Sequence, residues 1–412
     1  MRCDVVVLGA GMVGLGAALA LQARGRDVAI VDRRGAAGRE TSFGNAGLIE
    51  RASVSLYTFP RDMTKILRVL AGRAPEARID WRALPHILPW VARYFWESAP
   101  ERAKAHARAA LPLIERCVVE HEKLAAAAGA GDLLRRTGWL KAFRRQESLS
   151  EGIDEARTVQ EHGLAVDFLN PAALAALEPN VSGFLGAIHY RDTVAVSDPG
   201  ALALAYGRLF EQRGGRLAGG DARSLEETGQ GWRVATEHGL LEAREAVVAL
   251  GPWSDDVFRP LGYEMPLGVK RGYHMHYAPR EGAVMRHPVL DVDGGYLVAP
   301  MQAGLRLTTG AEFARRDAPP SPVQLDAVEP VARTRFPLGA RADAEPWLGR
   351  RPCLPDLLPV IGPAPRHAGL WFDFGHQHHG LTLGPVTGRL IAEMMTGEEP
   401  FCDPAPFSAE RF

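Results

Sequence analysis

The sequence predicts an α/β protein of two domains, one built on a parallel sheet and the other on an antiparallel sheet with helices. Three observations predict it. A strand, a turn, a helix and a second strand fill the first thirty-two residues, and the run Glu245-Ala246-Val247-Val248-Ala249-Leu250-Gly251 has the shape of a buried central strand. Between them lies a helical insertion, and residues 265–315 are β-rich.

Taken in order, Asp4-Val5-Val6-Val7-Leu8 is a β-branched run of strand length, and the Ala/Leu-rich stretch to Arg24 is helical until Gly25 closes it. Asp27-Val28-Ala29-Ile30-Val31 forms the next strand, which Asp32 ends. Residues 51–130 are helical, rich in Arg, Ala, Leu and Trp, and interrupted by prolines. Residues 138–143 read as a strand, Asp198-Pro199-Gly200 as the cap of an amphipathic helix, and 383–396 as the final helix. No repeat of fixed period occurs.

Composition narrows the class. With 412 residues, 46% hydrophobic and 24% charged, the chain is globular and long enough for two or three cores. A formal net charge of -1 gives no global field for nucleic acid, so no nucleic-acid partner is expected. Cys3, Cys117, Cys353 and Cys402 show no CxxC spacing and read as reduced thiols, an expectation of a cytoplasmic protein without an export signal. No apolar run approaches the ~20 residues of a membrane span, so membrane contact is expected to be peripheral at most.

Gly9, Gly11 and Gly14 form GxGxxG between a strand and a helix. The first glycine permits the turn, the second lets backbone approach a pyrophosphate, and the third lets helix pack on strand, in the Rossmann manner. Asp32, at the end of the second strand, is placed to accept from a ribose hydroxyl. The fingerprint serves FAD and NAD alike, and the rest of the chain must choose.

Four further stretches do so: Glu40-Thr41-Ser42-Phe43-Gly44-Asn45-Ala46-Gly47, Val247 to Ser254, Gly349-Arg350-Arg351-Pro352 with Pro355-Asp356 and Pro359-Val360-Ile361-Gly362, and Gly375-His376-Gln377-His378-His379-Gly380-Leu381-Thr382-Leu383-Gly384-Pro385. In this order, from residue 1 to about 396, they resemble the D-amino acid oxidase superfamily of FAD-dependent oxidoreductases, and within it the bacterial D-amino acid dehydrogenases. The resemblance implies a flavoprotein whose Rossmann-type FAD domain is assembled from 1–50, 186–255 and 336–412, with 51–185 and 256–335 building the substrate domain. It implies that Met12, Val13, Arg33, Thr41, Ser42, Asn45, Ala46, Gly47, Arg223, Gly251 and Trp253 line the FAD site. It also implies that the turn carrying His376, Gln377, His379, Gly380, Leu381 and Thr382 faces the flavin edge, where helix N–H groups stabilise negative charge.

The same resemblance assigns Arg351 to the substrate carboxylate, a bidentate task suited to guanidinium, with Arg350 the neighbour a register slip would promote. Relatives often add a tyrosine, and Tyr273 and Tyr296 are equal candidates; core tyrosine is the plainer role for both. His378 stands where glycine oxidase relatives carry a second arginine, and lines or gates the pocket. Sarcosine-type relatives tether FAD through a cysteine seven positions before the Asp of Pro-Asp; here that position is Gly349, so FAD is expected to be non-covalent. Three histidines in four positions, His376, His378 and His379, also fit a metal site, but the turn already has a role and no metal is expected.

Residues 51–110 hold eleven Lys+Arg and five Asp+Glu, with Trp81, Trp90, Tyr94, Phe95 and Trp96 among them. Such a stretch suits either a helical cover over the active site or peripheral contact with the inner membrane, where a quinone would take electrons. The expected reaction removes hydride from Cα of a D-amino acid, or a related cyclic or N-alkyl amino acid, to flavin N5, and passes electrons to a quinone or other non-oxygen acceptor. Two rivals are an oxidase acting on glycine- or sarcosine-like amines and a flavin-binding subunit of an electron-relay complex.

Overall fold

The computed structural model describes residues 1–412, arranged around two large sheets. In the first, Arg2–Leu8 lies parallel between Val28–Asp32 and Gly239–Val248. Residues 216–219 of the strand Arg216–Thr228 extend the parallel array outside Val28–Asp32, and Leu370–Phe374 extends it outside Gly239–Val248. Val360–Pro363 closes that edge antiparallel. Helices cover one face, and Leu225, Trp232, Val234 and Phe258 pack on the other, so residues 5–8, 28–31 and 246–248 are buried on both sides and read as unbroken apolar runs rather than alternating ones.

The helices Met12–Gln22 and Gly380–Met395 touch backbone to backbone through glycine. A Cβ at Gly16 would stand 2.2 Å from the Gly384 carbonyl oxygen, and one at Gly388 would stand 2.2 Å from the Gly16 carbonyl carbon. The final helix starts at Gly380, one turn before the expected Leu383. Pro385 lies inside it and has no N–H for the Leu381 carbonyl; His121 Nε2, 2.6 Å away, supplies the missing donor. Burial pulls the His121 pKa down to about 4, so the ring is neutral.

The second sheet has eleven strands around the long Gly268–Pro279, which pairs antiparallel with Gly304–Thr309, Ala311–Phe313, Leu338–Arg341 and Trp347–Cys353. The chain does not divide at 186 and 336 as the sequence suggested. Gly186–Tyr190, Leu338–Arg341 and Trp347–Cys353 all belong to the second sheet. The helix Pro100–Ala127, placed in the substrate domain by its position in the chain, buries Leu113, Ile114 and Cys117 in the core of the first sheet instead. Strand membership follows pairing partners far away in sequence, and an apolar helix face follows whichever core is open to it.

Within the insertion, Met63–Leu70 buries no residue, whereas Leu84–Glu97 packs Trp90 against Gly268 and donates its indole N–H to the Cys353 carbonyl at 3.1 Å. No helix is long and apolar enough to cross a membrane.

Candidate active site

The two sheets enclose a cavity of about 840 Å³, large for a small-molecule site and of the order a dinucleotide requires. One end is the glycine turn. Gly9 has φ +106°, and a Cβ on it would meet the Ala249 carbonyl oxygen at 2.6 Å; a Cβ on Gly14 would meet the Gly9 carbonyl oxygen at 2.0 Å. The helix that follows has neither a side-chain cap nor an acidic residue in its first turn, so its positive end opens on the cavity. Only the Met12 N–H is taken, by Ser42 Oγ at 2.9 Å. Asp32 accepts from the Ala10 and Arg34 N–H groups at 2.9 and 2.8 Å, which fixes its carboxylate at the rim.

Val13, Arg33, Thr41, Asn45, Ala46, Arg223, Gly251 and Trp253 line the same cavity. The Arg33 guanidinium lies 3.8 Å from the Trp253 ring centroid, Thr41 Oγ1 donates to the Arg350 carbonyl, and Arg223 forks onto Asp221. Gly14, Gly47, His379 and Thr382 do not line the cavity but stand behind its wall. Gly47, with φ +75°, approaches the Val196 carbonyl, and Thr382 Oγ1 donates to the Leu48 carbonyl while accepting the Glu50 N–H.

The other end is the turn before the final helix. Gln377 takes a left-handed φ of +57°, its N–H donates to the Pro352 carbonyl at 2.9 Å, and a bridge joins Cys353 to His376. The strand Trp347–Cys353 and this turn are thereby one piece. Gly380 and Leu381 line the cavity at a helix start without a side-chain cap, so their N–H groups face it as those of Met12–Gln22 do. The three histidines do not converge: His376 turns to Thr387 and Asp373, at 3.1 and 3.3 Å, and His379 Nε2 lies 3.0 Å from Ser53 Oγ. His378 lines the cavity with a buried Nε2 that has no partner.

Arg351 lies half-buried on the cavity wall. Its Nη1 donates to the Gly310 carbonyl at 3.1 Å, and its guanidinium lies over Gly272, where a Cβ would meet Nη2 at 2.7 Å. It has no acidic partner, in contrast to the buried Arg271, whose Nε pairs with Glu312 at 2.8 Å. Burial lowers its pKa from the usual arginine value, with the nearby Cys353 thiol opposing. A partly desolvated cation paired only with carbonyls is favoured by an anion that comes to it. Arg350 is directed elsewhere, its Nε donating to the Arg316 carbonyl.

A family model described as FAD dependent oxidoreductase, DAO, matches residues 4–394. The chain belongs to the DAO family. It is 30% identical over 413 residues to the D-amino acid dehydrogenase 2 of Mesorhizobium japonicum, covering 97% of this chain and 98% of that one. It is also 30% identical over 419 residues to the D-amino-acid oxidase of Bradyrhizobium diazoefficiens, with 99% and 98% covered. In fold it is similar to glycine oxidase from Geobacillus kaustophilus, with a TM-score of 0.76, 22% identity and coverage of 100% and 99%. The Rossmann-type sheet, the open helix ends and the small residues around them fit the FAD of the DAO family.

The two expected tyrosines, Tyr273 and Tyr296, both line the cavity. Each is also packed into the core of the second sheet. The Tyr273 hydroxyl is saturated, donating to Glu312 Oε2 and accepting from Arg271 Nη2 and the Ser321 N–H. The Tyr296 ring packs on Phe336 and its hydroxyl lies beside Asp291. Alternation assigned two faces to 271–277, and residues of both reach the cavity wall: Lys270, Gly272 and His274 from one and Tyr273 from the other.

Sequence reasoning missed Lys270, Glu50, Trp139 and Thr308. Lys270 Nζ lies 3.9 Å from the Tyr94 ring centroid, and no carboxylate pairs with it. Trp139 Nε1 and Thr308 Oγ1 are buried, without partners, on residues that line the cavity. Lys270 was within reach of the sequence, since it shares the period-two face of His274 and His276.

Proposed function

We propose that this DAO-family oxidoreductase oxidises an amino acid at Cα, a D-amino acid first, with Arg351 holding the carboxylate. The observation that carries the reading is the half-buried guanidinium on the cavity wall without an acidic partner. Lys270 adds a second unpaired cation on the same wall, so an anionic group is favoured there. FAD, when bound, supplies the two-electron acceptor. The chain's own residues bind and orient: two helix ends offer free N–H groups to anionic parts of the cofactor, Asp32 suits a ribose hydroxyl, and Arg351 fixes the direction of the substrate.

The names of the two curated relatives support the D series and leave two acceptors open. We favour a dehydrogenase using a quinone or another non-oxygen acceptor; the relative named an oxidase keeps oxygen as the second reading. A panel of D- and L-amino acids with a dye acceptor under anaerobic conditions tests the reaction. Peroxide release in air decides for oxygen, and a chain that reduces no dye with any amino acid would be a relay subunit instead.

FAD is held without a covalent bond in this reading, since Gly349 stands where a tethering cysteine would be. Acid precipitation is expected to leave all flavin in the supernatant, and flavin on a peptide containing Cys353 would refute it. Asp32→Ala is expected to weaken FAD retention about tenfold or more, the order of a hydrogen bond to a charged group; unchanged affinity measured by flavin fluorescence would make Asp32 a turn residue only.

Met63, Leu67, Trp81, Phe95 and Trp96 are exposed among the arginines of the insertion. We read this face as a contact for an anionic membrane, beside the cover that Trp90 forms over the Arg351 strand. The protein is expected to sediment with vesicles of phosphatidylglycerol and not with neutral ones. Equal absence from both would leave only the cover.

A further inference from the structure

We propose that Glu50 receives the amino group of the substrate and takes its proton, an inference that rests on the amino acid reading above. Glu50 follows the short strand Leu48–Ile49, and Thr382 clamps it to the first turn of the final helix by accepting its N–H at 3.2 Å and donating to the Leu48 carbonyl at 3.1 Å. Its side chain lines the cavity and is only 13% exposed. One carboxylate oxygen and one ring nitrogen each of His378 and His379 all lie within 4.8 Å of one another.

Other buried carboxylates of the protein have structural work. Glu178 accepts the Arg286 and His287 N–H groups and faces the His287 ring, and Glu312 pairs with Arg271. The Glu50 carboxylate has no such partner: its nearest ion-pair neighbour is His379 Nε2 at 3.9 Å. Burial pulls the His379 pKa down to about 4 and the His378 pKa well below the usual histidine range, so neither ring offers a cation at neutral pH. Of the charges farther off, Lys141 favours ionisation of Glu50 and Glu155 opposes it, while Tyr57 and Cys117 feel its charge. Burial, the largest influence, pushes the Glu50 pKa up to about 7.

The cavity therefore carries cations on one wall, at Arg351 and Lys270, and an underused carboxylate on another, with the neutral His378 near both. A zwitterion, carboxylate at one end and ammonium at the other, is the ligand whose charges match. An ammonium has no lone pair, and Cα oxidation to an imine needs one. In the proposed step an N–H bond of the ammonium breaks, its electron pair stays on nitrogen, and the proton forms an O–H bond on the Glu50 carboxylate. A base whose pKa lies near neutrality is suited to that transfer.

The test uses full-length FAD-loaded protein, the best substrate of the amino acid panel, and the variants Glu50→Gln and Glu50→Asp. Wild-type kcat/KM is expected to rise with pH through about 7, because the protonated carboxyl below that pH accepts nothing. Glu50→Gln is expected to lose about a hundredfold at pH 7, within the range of general-base catalysis, and to move the rise up toward the pKa of the substrate's own ammonium. Glu50→Asp keeps the rise with a smaller loss. Propionate, a carboxylate without an amino group, is titrated against the flavin absorbance and is expected to bind Glu50→Gln as well as wild type or better. Unchanged kcat/KM and pH profile in Glu50→Gln would overturn the proposal, and so would a matching loss of propionate binding, which would make the residue structural. Loss of wild-type turnover on dialysis against a chelator would also overturn it, assigning Glu50, His378 and His379 to a metal ion. A wild-type protein that oxidises no amino acid overturns the underlying reading as well, and the wild-type panel alone shows which has failed.

Discussion

Arg351→Ala is expected to lower kcat/KM by a hundredfold or more while leaving FAD content unchanged. The guanidinium is half-buried on the cavity wall, is held over Gly272 by the Gly310 carbonyl, and has no carboxylate of the protein to neutralise it. A substrate carboxylate in that fork forms two charge-assisted hydrogen bonds in a site with little water, and truncating such a pair costs about 3–5 kcal/mol. Part of that loss is orientation, since the Cα–H must point toward the acceptor before the bond can break. Arg351→Lys is expected to recover little, because a point charge does not reproduce the fork. Steady-state kinetics with the flavin absorbance ratio measured on the same sample checks both halves. Arg350→Ala is the control: its side chain serves the Arg316 carbonyl. If Arg350→Ala lost activity and Arg351→Ala did not, the carboxylate would bind one residue away; if neither did, the substrate would lack a carboxylate.

Gly16→Val is expected to give protein that purifies with little or no FAD and melts well below wild type. Even the first carbon of the new side chain would stand 2.2 Å from the Gly384 carbonyl oxygen and 3.1 Å from the Pro385 Cα. That obstacle is backbone of a buried helix, and interiors at crystal-like density do not yield to it. Overpacking typically costs about 1–3 kcal/mol, and a rigid backbone neighbour puts this site at the upper end. Both helices open their N-terminal ends on the cavity, so forcing them apart also moves the N–H groups proposed to meet the cofactor. Thermal melting and flavin content check this, with Gly229→Ala, which meets nothing within 4 Å, as the neutral comparison. Wild-type melting and flavin content in Gly16→Val would mean that the helices separate without cost.

Much of the architecture was legible because its signals are local. The opening unit needs only the period of its apolar residues and the spacing of three glycines, and the Asp198 cap of Pro199–Gln212 is a contact between residues three apart. What stayed hidden depends on distant partners. Nothing near Pro100–Ala127 announces that His121 will serve the carbonyl that Pro385 leaves open, and that contact draws the helix to the first core. The alternation in 271–277 separates tyrosines from histidines without showing that both Tyr273 and His274 reach the cavity, because both faces of that strand are buried. Arg351, which lines the cavity, was singled out through the company it keeps in its motif. Glu50 has no motif, and only the fold shows a carboxylate without structural work beside two neutral histidines.

The stitching of Trp347–Cys353 to the 375–380 turn, through Gln377 and the bridge between Cys353 and His376, separates two duties that a binding site must reconcile. Aim needs rigidity, and Arg351, the residue proposed to aim, shares one unyielding block with the start of the final helix. Admission needs motion, and the parts outside that block hold less tightly: Tyr57, half exposed with its ring edge on His378, and Met63–Leu70, which buries no residue. Sequence change in these parts can then alter which side chains pass, and how fast, without disturbing the geometry of the chemistry.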